Sequence, residues 1–144
     1  MRSVVELDVR FDCSEVDWKR VSETLRRVGM EYHEPDVHRR AFQNSHTTVF
    51  VYQADQLIGF GRAISDGMYQ AAVYDVAVVP EFQRQGIGTT IMRTIVARLS
   101  RCNLILYAAP GREEFYRKLG WRKMKTGMAY FKDAEEKARK GLTD

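Results

Sequence analysis

The amino-acid sequence predicts a mixed α/β domain with a mostly antiparallel sheet flanked by helices. Three observations support this fold class. Strand-like apolar stretches are interleaved with stretches that carry apolar residues at helical spacing. Two predicted strands form a hairpin, which makes them antiparallel, and another pair is joined by a helix, which favours a parallel pair. The chain has 144 residues, of which 44% are apolar, and this suits one domain with a sizeable core.

The first half of the chain is predicted to form an edge strand, two helices and a hairpin. In chain order these are residues 3–11, 18–28, 35–45, 47–53 and 56–65. The first segment alternates apolar and polar residues. Ser14 with Asp17 has the spacing of a capping box before the first helix. Gly29 can end that helix, and Pro35 suits the first turn of the second.

The second half alternates strands and helices. In chain order it has a strand at 69–79, a helix at 86–100, a strand at 103–109, a helix at 111–119, strands at 121–126 and 128–132, and a charged helical tail at 132–144. Pro80 stops the first strand. The two strands around the helix are predicted to be parallel, and the apolar run 103–109 predicts an interior strand. Gly120 can cap the short helix, and the tail is expected to be solvated.

Composition narrows the classes of function. The formal net charge is +4, with both signs interspersed, which favours a small polyanionic ligand over nucleic acid. Cys13 and Cys102 lie far apart, so the sequence predicts neither a disulfide framework nor a metal site. No apolar run approaches a membrane span, and the N-terminus has acidic residues where a signal peptide would be apolar. These features predict a cytoplasmic protein without a membrane partner.

The segment QRQGIG, residues 83–88, carries the strongest chemical signal. A P-loop would need a lysine after the last glycine, where Thr89 stands, and a dinucleotide fingerprint would need a third glycine at Ile91. Both motifs share a simpler principle, in which unpaired amides at a helix N-terminus attract an anion that glycines let approach. Two interpretations stay open on this motif alone: a pyrophosphate cradle, or a loop whose glycines only satisfy turn geometry.

The strand, Pro80 and the Q-x-x-G-x-G that opens a helix resemble motif A of the GNAT superfamily of acetyl-CoA-dependent N-acetyltransferases. The segment EEFYRKLGW, residues 113–121, resembles the family's second landmark, F-Y-x-x-x-G-[FW]. The stretches LIGFGRAISD, YDVAVVPEFQRQGIG and TGM look more specifically like the serotonin-type (arylalkylamine) acetyltransferases of plants and cyanobacteria. The resemblance implies a single GNAT-type domain over residues 1–144 with a splayed parallel strand pair.

The resemblance also implies how the cosubstrate acetyl-CoA would bind, without a metal. Its pantetheine arm would pair with backbone near Ala77, Val78 and Val79, as an added strand does. Its pyrophosphate would lie on the backbone of Arg84, Gln85, Gly86, Ile87, Gly88 and Thr89. The end that bears the 3′-phosphate would lie near basic side chains such as Arg84 or Lys118. Acetyl transfer is expected to be direct, with the Val78 amide as donor to the oxyanion.

Two side chains are candidates for the proton transfers. Tyr116, in the second landmark, is expected to protonate the departing thiolate. Asp75 is expected to bind or deprotonate the amine, and its alternative is a salt bridge with Arg62, because a carboxylate in an apolar strand is costly unless paired or functional. His33 and His38 are expected at the surface. Acids that could attract an amine and aromatic residues that could line its pocket are Glu31, Glu34, Asp36, Phe42, Phe60, Tyr69 and Tyr74.

The expected function is transfer of an acetyl group from acetyl-CoA to a primary amine, with a small aromatic amine favoured. Two alternatives stay open. One is a peptide N-terminal or lysine acetyltransferase, and the other is a non-catalytic module that binds acyl-CoA. Tyr116, at the position of the expected acid, argues against the module. Dimers are frequent in the family, so a homodimer is compatible with the resemblance.

Overall fold

The computed structural model describes residues 6–144. Residues 3–5 of the predicted first strand therefore lie outside the described residues. The chain divides into two units, one that extends to Leu106 and one from Tyr107 to Asp144.

A five-stranded sheet, in the order β1-β2-β3-β4-β5, forms the frame of the first unit. The strands are β1 Asp8–Arg10, β2 Thr47–Gln53, β3 Gln56–Ser65, β4 Gln70–Val78 and β5 Asn103–Ile105. The first four pair antiparallel and β5 joins β4 in parallel, as predicted. The hairpin turn has Ala54 and Asp55 at φ of 48° and 62°, and two successive left-handed residues are the signature of a type I′ turn.

Within residues 6–106 the first unit has three helices: α1 Trp18–Arg27, α2 Pro35–Gln43 and α3 Ile87–Arg98, with a 3-10 turn at Pro80–Phe82. The predicted capping box is wrong. Asp17 itself caps α1, since its side chain accepts the Arg20 N–H, whereas the Ser14 amide and hydroxyl bond the nearer carboxylate of Asp12. Gly29 follows α1 with a φ of 80°, so the predicted end of the helix is confirmed.

The helices cover both faces of the sheet. Phe60 packs in a buried cluster with Val21 and Leu25 of α1 and Phe42 of α2. Side chains alternate between faces along a strand, so the neighbours of Phe60 point the other way. Those neighbours are Gly59 and Gly61, and both lie against isoleucines of α3. The two glycines let the α3 backbone approach the sheet closely and thereby fix where the N-terminus of α3 lies.

We expect Gly61→Ala to destabilise the protein by about 1–3 kcal/mol, the usual cost of overpacking a core. An added Cβ would lie 2.9 Å from Ile91 Cγ2 and 3.0 Å from Val76 Cγ2. Gly127→Ala is the matched control, because its Cβ would meet only Met124, at 3.4 Å or more. Denaturant unfolding measures both variants. An unchanged free energy of unfolding for Gly61→Ala would contradict the close approach.

The second unit contains α4 Glu113–Lys118 and α5 Ala134–Arg139. The predicted strands at 121–126 and 128–132 are wrong, because among residues 6–144 no strand follows Ile105. Polar residues interrupt this segment, and its apolar side chains are exposed, with Met128 at 95% and Tyr130 at 90%. Consequently β5 is the edge of the described sheet and not the predicted interior strand, and it is shorter than 103–109.

The charged tail forms the predicted helix, but it is not wholly solvated. Lys137 is 6% exposed. Its ammonium group lies 3.3 Å from the Asp133 carboxylate and 5.5 Å from the centre of the Phe131 ring. The Glu136 carboxylate lies 3.9 Å from the ammonium group of Lys140, four residues on, and it also pairs with Arg139.

Candidate active site

The parallel strands β4 and β5 are paired only at their start. The last pair in register is Ala72 with Ile105, whereas β4 continues to Val78. The Val79 N–H donates to the Ile58 carbonyl of β3 at 2.8 Å. Hydrogen-bonding direction alternates along a strand, so the amide of Val78 points away from β3, towards the side where β5 has ended. The splayed strand pair is thus present, and Val78 is the residue that offers its backbone there.

A glutamine side chain supports the end of β4. Gln83 Nε2 donates to the Val78 carbonyl at 3.2 Å. Gln83 is the first residue of the Q-x-x-G-x-G motif. This bond connects the strand that carries the Val78 amide to the loop that leads into α3. The bond joins residues five apart across a turn, and no apolar periodicity predicts it.

The loop 83–88 reaches α3 through two left-handed residues, Arg84 at φ 66° and Gly86 at φ 82°. Gly86 is the N-cap of α3, and the first helical bond runs from the Thr90 N–H to the Gly86 carbonyl at 3.0 Å. The amides of residues 87–89 therefore have no partner within the helix, and they lie at its positive end. Arg84, Gln85 and Gly86 are exposed. This geometry suits an anion.

A bulge interrupts the pairing of β3 with β4. Arg62 pairs with Tyr74 and Phe60 with Ala77, so two residues of β4, Asp75 and Val76, lie opposite a single residue of β3. Asp75 has a φ of 56°, which is uncommon for a residue other than glycine. Bulges redirect side chains, and this one brings the Asp75 carboxylate to Arg62.

The Asp75 carboxylate forms the salt bridge that was its alternative role. Arg62 Nε lies 2.7 Å from Asp75 Oδ2, and the two side chains are 16% and 20% exposed. Arg62 Nη1 also donates to Ser45 Oγ at 3.3 Å, and the guanidinium lies 5.5 Å from the Tyr74 ring. The attraction within the ion pair offsets the desolvation free energy of two charges that water reaches only in part. Asp75 nevertheless keeps part of its surface accessible.

His33 is exposed, as expected, but the prediction that His38 lies at the surface is wrong. His38 is 3% exposed, and its Nε2 accepts the His33 N–H at 2.8 Å. Burial lowers the pKa of His38, and the negative charge of Asp75 opposes that shift. A signal was available in the sequence, since His38 precedes the core residue Phe42 by four positions and so shares its helix face.

Other candidates for the amine pocket serve other purposes. Phe42 and Phe60 are fully buried with ring centres 6.0 Å apart, so they belong to the core. The Asp36 carboxylate is held by Arg39 and Arg40 of its own helix.

In the second unit, Tyr116 lies in α4. Its ring is half-buried against Phe115 and Trp121, with ring centres 5.0 and 6.2 Å away. Burial raises the pKa of Tyr116, and the charge of Arg112 acts in the other direction. The phenol therefore keeps its proton at neutral pH. Lys118, at the end of the same helix, is exposed.

Cys13 and Cys102 are free thiols. Across residues 6–144, no helix combines the length and the apolar character that crossing a bilayer requires.

Comparison with known proteins decides the family. Residues 15–132 match the acetyltransferase (GNAT) domain family. This chain belongs to the GNAT acetyltransferase family. Serotonin N-acetyltransferase 2, chloroplastic, of rice (Oryza sativa subsp. japonica) is 32% identical over 138 residues, which cover 89% of this chain and 69% of the rice protein. The uncharacterized N-acetyltransferase ycf52 of Porphyra purpurea is 29% identical over 119 residues, which cover 81% of this chain and 64% of that protein.

Solved structures show the same GNAT fold. A Staphylococcus aureus protein of unknown function superposes with a TM-score of 0.78 at 25% identity, covering 88% of this chain and 99% of its own. Glucosamine-6-phosphate N-acetyltransferase from Arabidopsis thaliana superposes with a TM-score of 0.68 at 17% identity, covering 89% of this chain and 99% of its own. The second likeness concerns the fold alone.

The first unit of this GNAT chain brings together several residues that the sequence singled out. They are Asp75 with Arg62 on the bulge, Val78 at the end of β4, and the loop 83–88 at the start of α3. Tyr116 and Lys118 belong to the second unit. Among the features that sequence reasoning missed are the burial of His38, the Gln83 bond, the bulge at Asp75 and the close approach of α3 to β3.

Proposed function

We propose that this GNAT protein transfers the acetyl group of acetyl-CoA directly to a primary amine, and that a small aromatic amine is favoured. The observation that carries the proposal lies within the first unit. A short connection leads from the end of β4 to the start of α3. The Val78 amide points outward at its beginning, and the amides of residues 87–89 are unpaired at its end. A thioester ligand with a pyrophosphate needs both features.

Acetyl-CoA would be held chiefly by backbone groups. The edge of β4 at Val78 would lie along the pantetheine arm, as an edge strand lies along an added strand, with the Val78 N–H facing the thioester carbonyl. Val79 donates its own N–H to β3, so with Ala77 it would shape the edge without donating to the ligand. The pyrophosphate would lie on the amides of residues 84–89, and Arg84 or Lys118 would contact the 3′-phosphate.

The chemistry needs three contributions from the protein. The amine must lose a proton before its nitrogen attacks the thioester carbon. The oxyanion that forms needs a donor, and the Val78 N–H is proposed for it. As the C–S bond breaks, the thiolate takes a proton, for which Tyr116 is proposed. The new C–N bond and the protonated CoA thiol balance the reaction without a covalent enzyme intermediate.

Asp75 is proposed to bind or deprotonate the amine, with Arg62 as the partner that fixes its orientation. We expect Asp75→Asn to raise the amine KM by roughly tenfold or more, because a hydrogen bond to a charged group contributes about 1.5–3 kcal/mol. The pH–rate profile should change as well, and the acetyl-CoA KM should not. Steady-state kinetics across pH measure all three.

Arg62→Gln is the control for Asp75→Asn, because it breaks the same 2.7 Å salt bridge and leaves the carboxylate in place. If Asp75 is only the structural partner of Arg62, the two variants will lower the melting temperature alike. In that case neither will change the amine KM. That result would assign Asp75 to structure.

Release of free thiol from acetyl-CoA tests the function as a whole. The assay should compare arylalkylamines, polyamines, amino acids, and peptides with free N-termini or lysines. We expect the highest kcat/KM with an arylalkylamine. Faster turnover of peptides would favour the peptide acetyltransferase instead. Binding of acetyl-CoA without turnover of any acceptor would favour a non-catalytic module.

Two further properties stay predictions. One is a cytoplasmic location, although the rice relative is named chloroplastic. The other is a homodimer. Cell fractionation tests the first, and sedimentation velocity of the purified protein tests the second.

A further inference from the structure

The backbone of one residue, His33, is hydrogen-bonded to both α1 and α2. The connection between these helices, residues 28–34, is here called the α1–α2 loop. The Ser22 hydroxyl of α1 donates to the His33 carbonyl at 2.6 Å. The His33 N–H donates to Nε2 of His38 in α2 at 2.8 Å. The backbone of His33 is thus fastened on both sides, by a hydroxyl from one helix and by an imidazole from the other.

The imidazole bond forms only with a neutral ring. A nitrogen that accepts a hydrogen bond carries no proton, so the single proton of neutral His38 is on Nδ1. Protonated imidazole donates at both nitrogens and cannot accept. His38 is 3% exposed. Its burial lowers its pKa from the ordinary value near 6.5, so the ring is neutral around pH 7.

Charged groups from three elements act on the His38 ring. Asp75 of β4 and Glu31 of the α1–α2 loop favour its protonation, whereas Arg62 of β3 and His33 oppose it. The rings of His33 and His38 have centres 5.6 Å apart. The His38 ring lies within electrostatic range of Asp75 and Arg62. Asp75 is the carboxylate that is proposed to bind the amine, and Arg62 is its ion-pair partner. A change of charge on His38 would affect both the loop and that pair.

We propose that His38 is a positioning residue for the amine acceptor: its neutral imidazole, which lies within electrostatic range of Asp75, holds the α1–α2 loop in place, and protonation of the imidazole releases the loop. The inference rests on the proposed function for the role of Asp75. It predicts that acid weakens the binding of the amine while the binding of acetyl-CoA is unaffected. Only molecules with the loop fastened bind the amine well. The apparent amine KM should therefore rise about tenfold per pH unit below the pKa of His38.

Two variants separate the hydrogen bond from the titration. In His38→Gln the side-chain amide oxygen can take the place of Nε2 and accepts at every pH. In His38→Leu the acceptor is removed. The effect on stability has a definite sign, because the folded protein disfavours the charged ring. Wild type should lose stability as pH falls through about 6.5, and His38→Gln should lose less over the same range.

The first test does not depend on activity. Hydrogen exchange of the His33 amide, followed by NMR, is compared between wild type and His38→Gln from about pH 4 to pH 7.5, a range that extends well below the ordinary histidine pKa because burial lowers the pKa of His38. Both proteins share the intrinsic pH dependence of exchange, so the ratio of their protection factors reports the bond. We expect the protection factor of wild type, divided by that of His38→Gln, to fall on acidification. A constant ratio would overturn the proposal even if His38→Leu fails to fold.

The second test measures the amine KM, with 2-phenylethylamine as the probe amine and acetyl-CoA saturating. Protonation of the probe affects wild type and His38→Gln equally, so any difference between their profiles belongs to His38. We expect a steeper rise of KM at low pH in wild type, with equal kcat at saturating amine. Coinciding profiles would overturn the positioning role and leave the proposed function intact. If the His33 amide loses its protection in acid but no amine is acetylated, the proposed function is refuted. The link between His38 and amine binding is then refuted with it.

Discussion

Gly86→Val is expected to weaken the binding of acetyl-CoA by at least about tenfold, since one hydrogen bond to a charged group contributes about 1.5–3 kcal/mol. Gly86 has a φ of 82° as the N-cap of α3. In this left-handed region an ordinary side chain costs roughly 1–2 kcal/mol, and a β-branched one is a genuine outlier. Valine should shift the backbone out of this region and turn the amides of residues 87–89 away from the pyrophosphate.

The protein should nevertheless stay folded. A Cβ at Gly86 would meet nothing within 4 Å, so valine introduces backbone strain but no clash. Gly29→Val is the matched control, because Gly29 has a φ of 80° and the same open surroundings at the other end of a helix, after α1. The two variants should lose similar stability in thermal unfolding. Only Gly86→Val should lose affinity for CoA in titration calorimetry. A folded Gly86→Val protein with wild-type affinity would refute the pyrophosphate cradle.

The elements that the sequence predicts well are those determined by neighbouring residues. The hairpin lies where the apolar pattern and the Ala54–Asp55 turn place it, and α3 lies within its predicted range. The segments at 121–126 and 128–132 are short runs of residues that the sequence predicts to be strands. Such runs become strands only when a partner strand buries them. Met128 and Tyr130 are exposed, so this burial is missing and no strand forms.

The same division applies to the candidate site. The motif that opens α3 could be identified because its chemistry is local: glycines, a following helix and an adjacent arginine. Asp75 could be singled out because a carboxylate in an apolar strand is conspicuous. The bulge that turns it towards Arg62 could not, since a bulge depends on the register between two strands. The bond from His33 to His38 depends on how two helices pack, which the order of residues alone does not give.

Tyr116→Phe is expected to lower kcat by roughly a hundredfold, the typical contribution of a positioned acid. Burial raises the pKa of Tyr116 above its ordinary value of 10. The phenol is therefore protonated throughout the physiological range and can donate to a departing thiolate. Phenylalanine keeps the ring that packs against Phe115 and Trp121. Folding and acetyl-CoA affinity should accordingly be close to those of wild type.

Tyr130→Phe provides the control, because it removes the same oxygen from a tyrosine in the same unit that is 90% exposed. Its kcat should equal that of wild type.

The pH dependence gives a second check with a definite sign. The acid must hold its proton to act, so wild-type kcat at saturating amine should decline as pH rises through the elevated pKa of Tyr116. Tyr116→Phe should lack that decline. Single-turnover mixing of enzyme, acetyl-CoA and amine isolates the chemical step from product release. A single-turnover rate for Tyr116→Phe equal to that of wild type would show that the thiolate leaves unassisted or takes its proton from another donor.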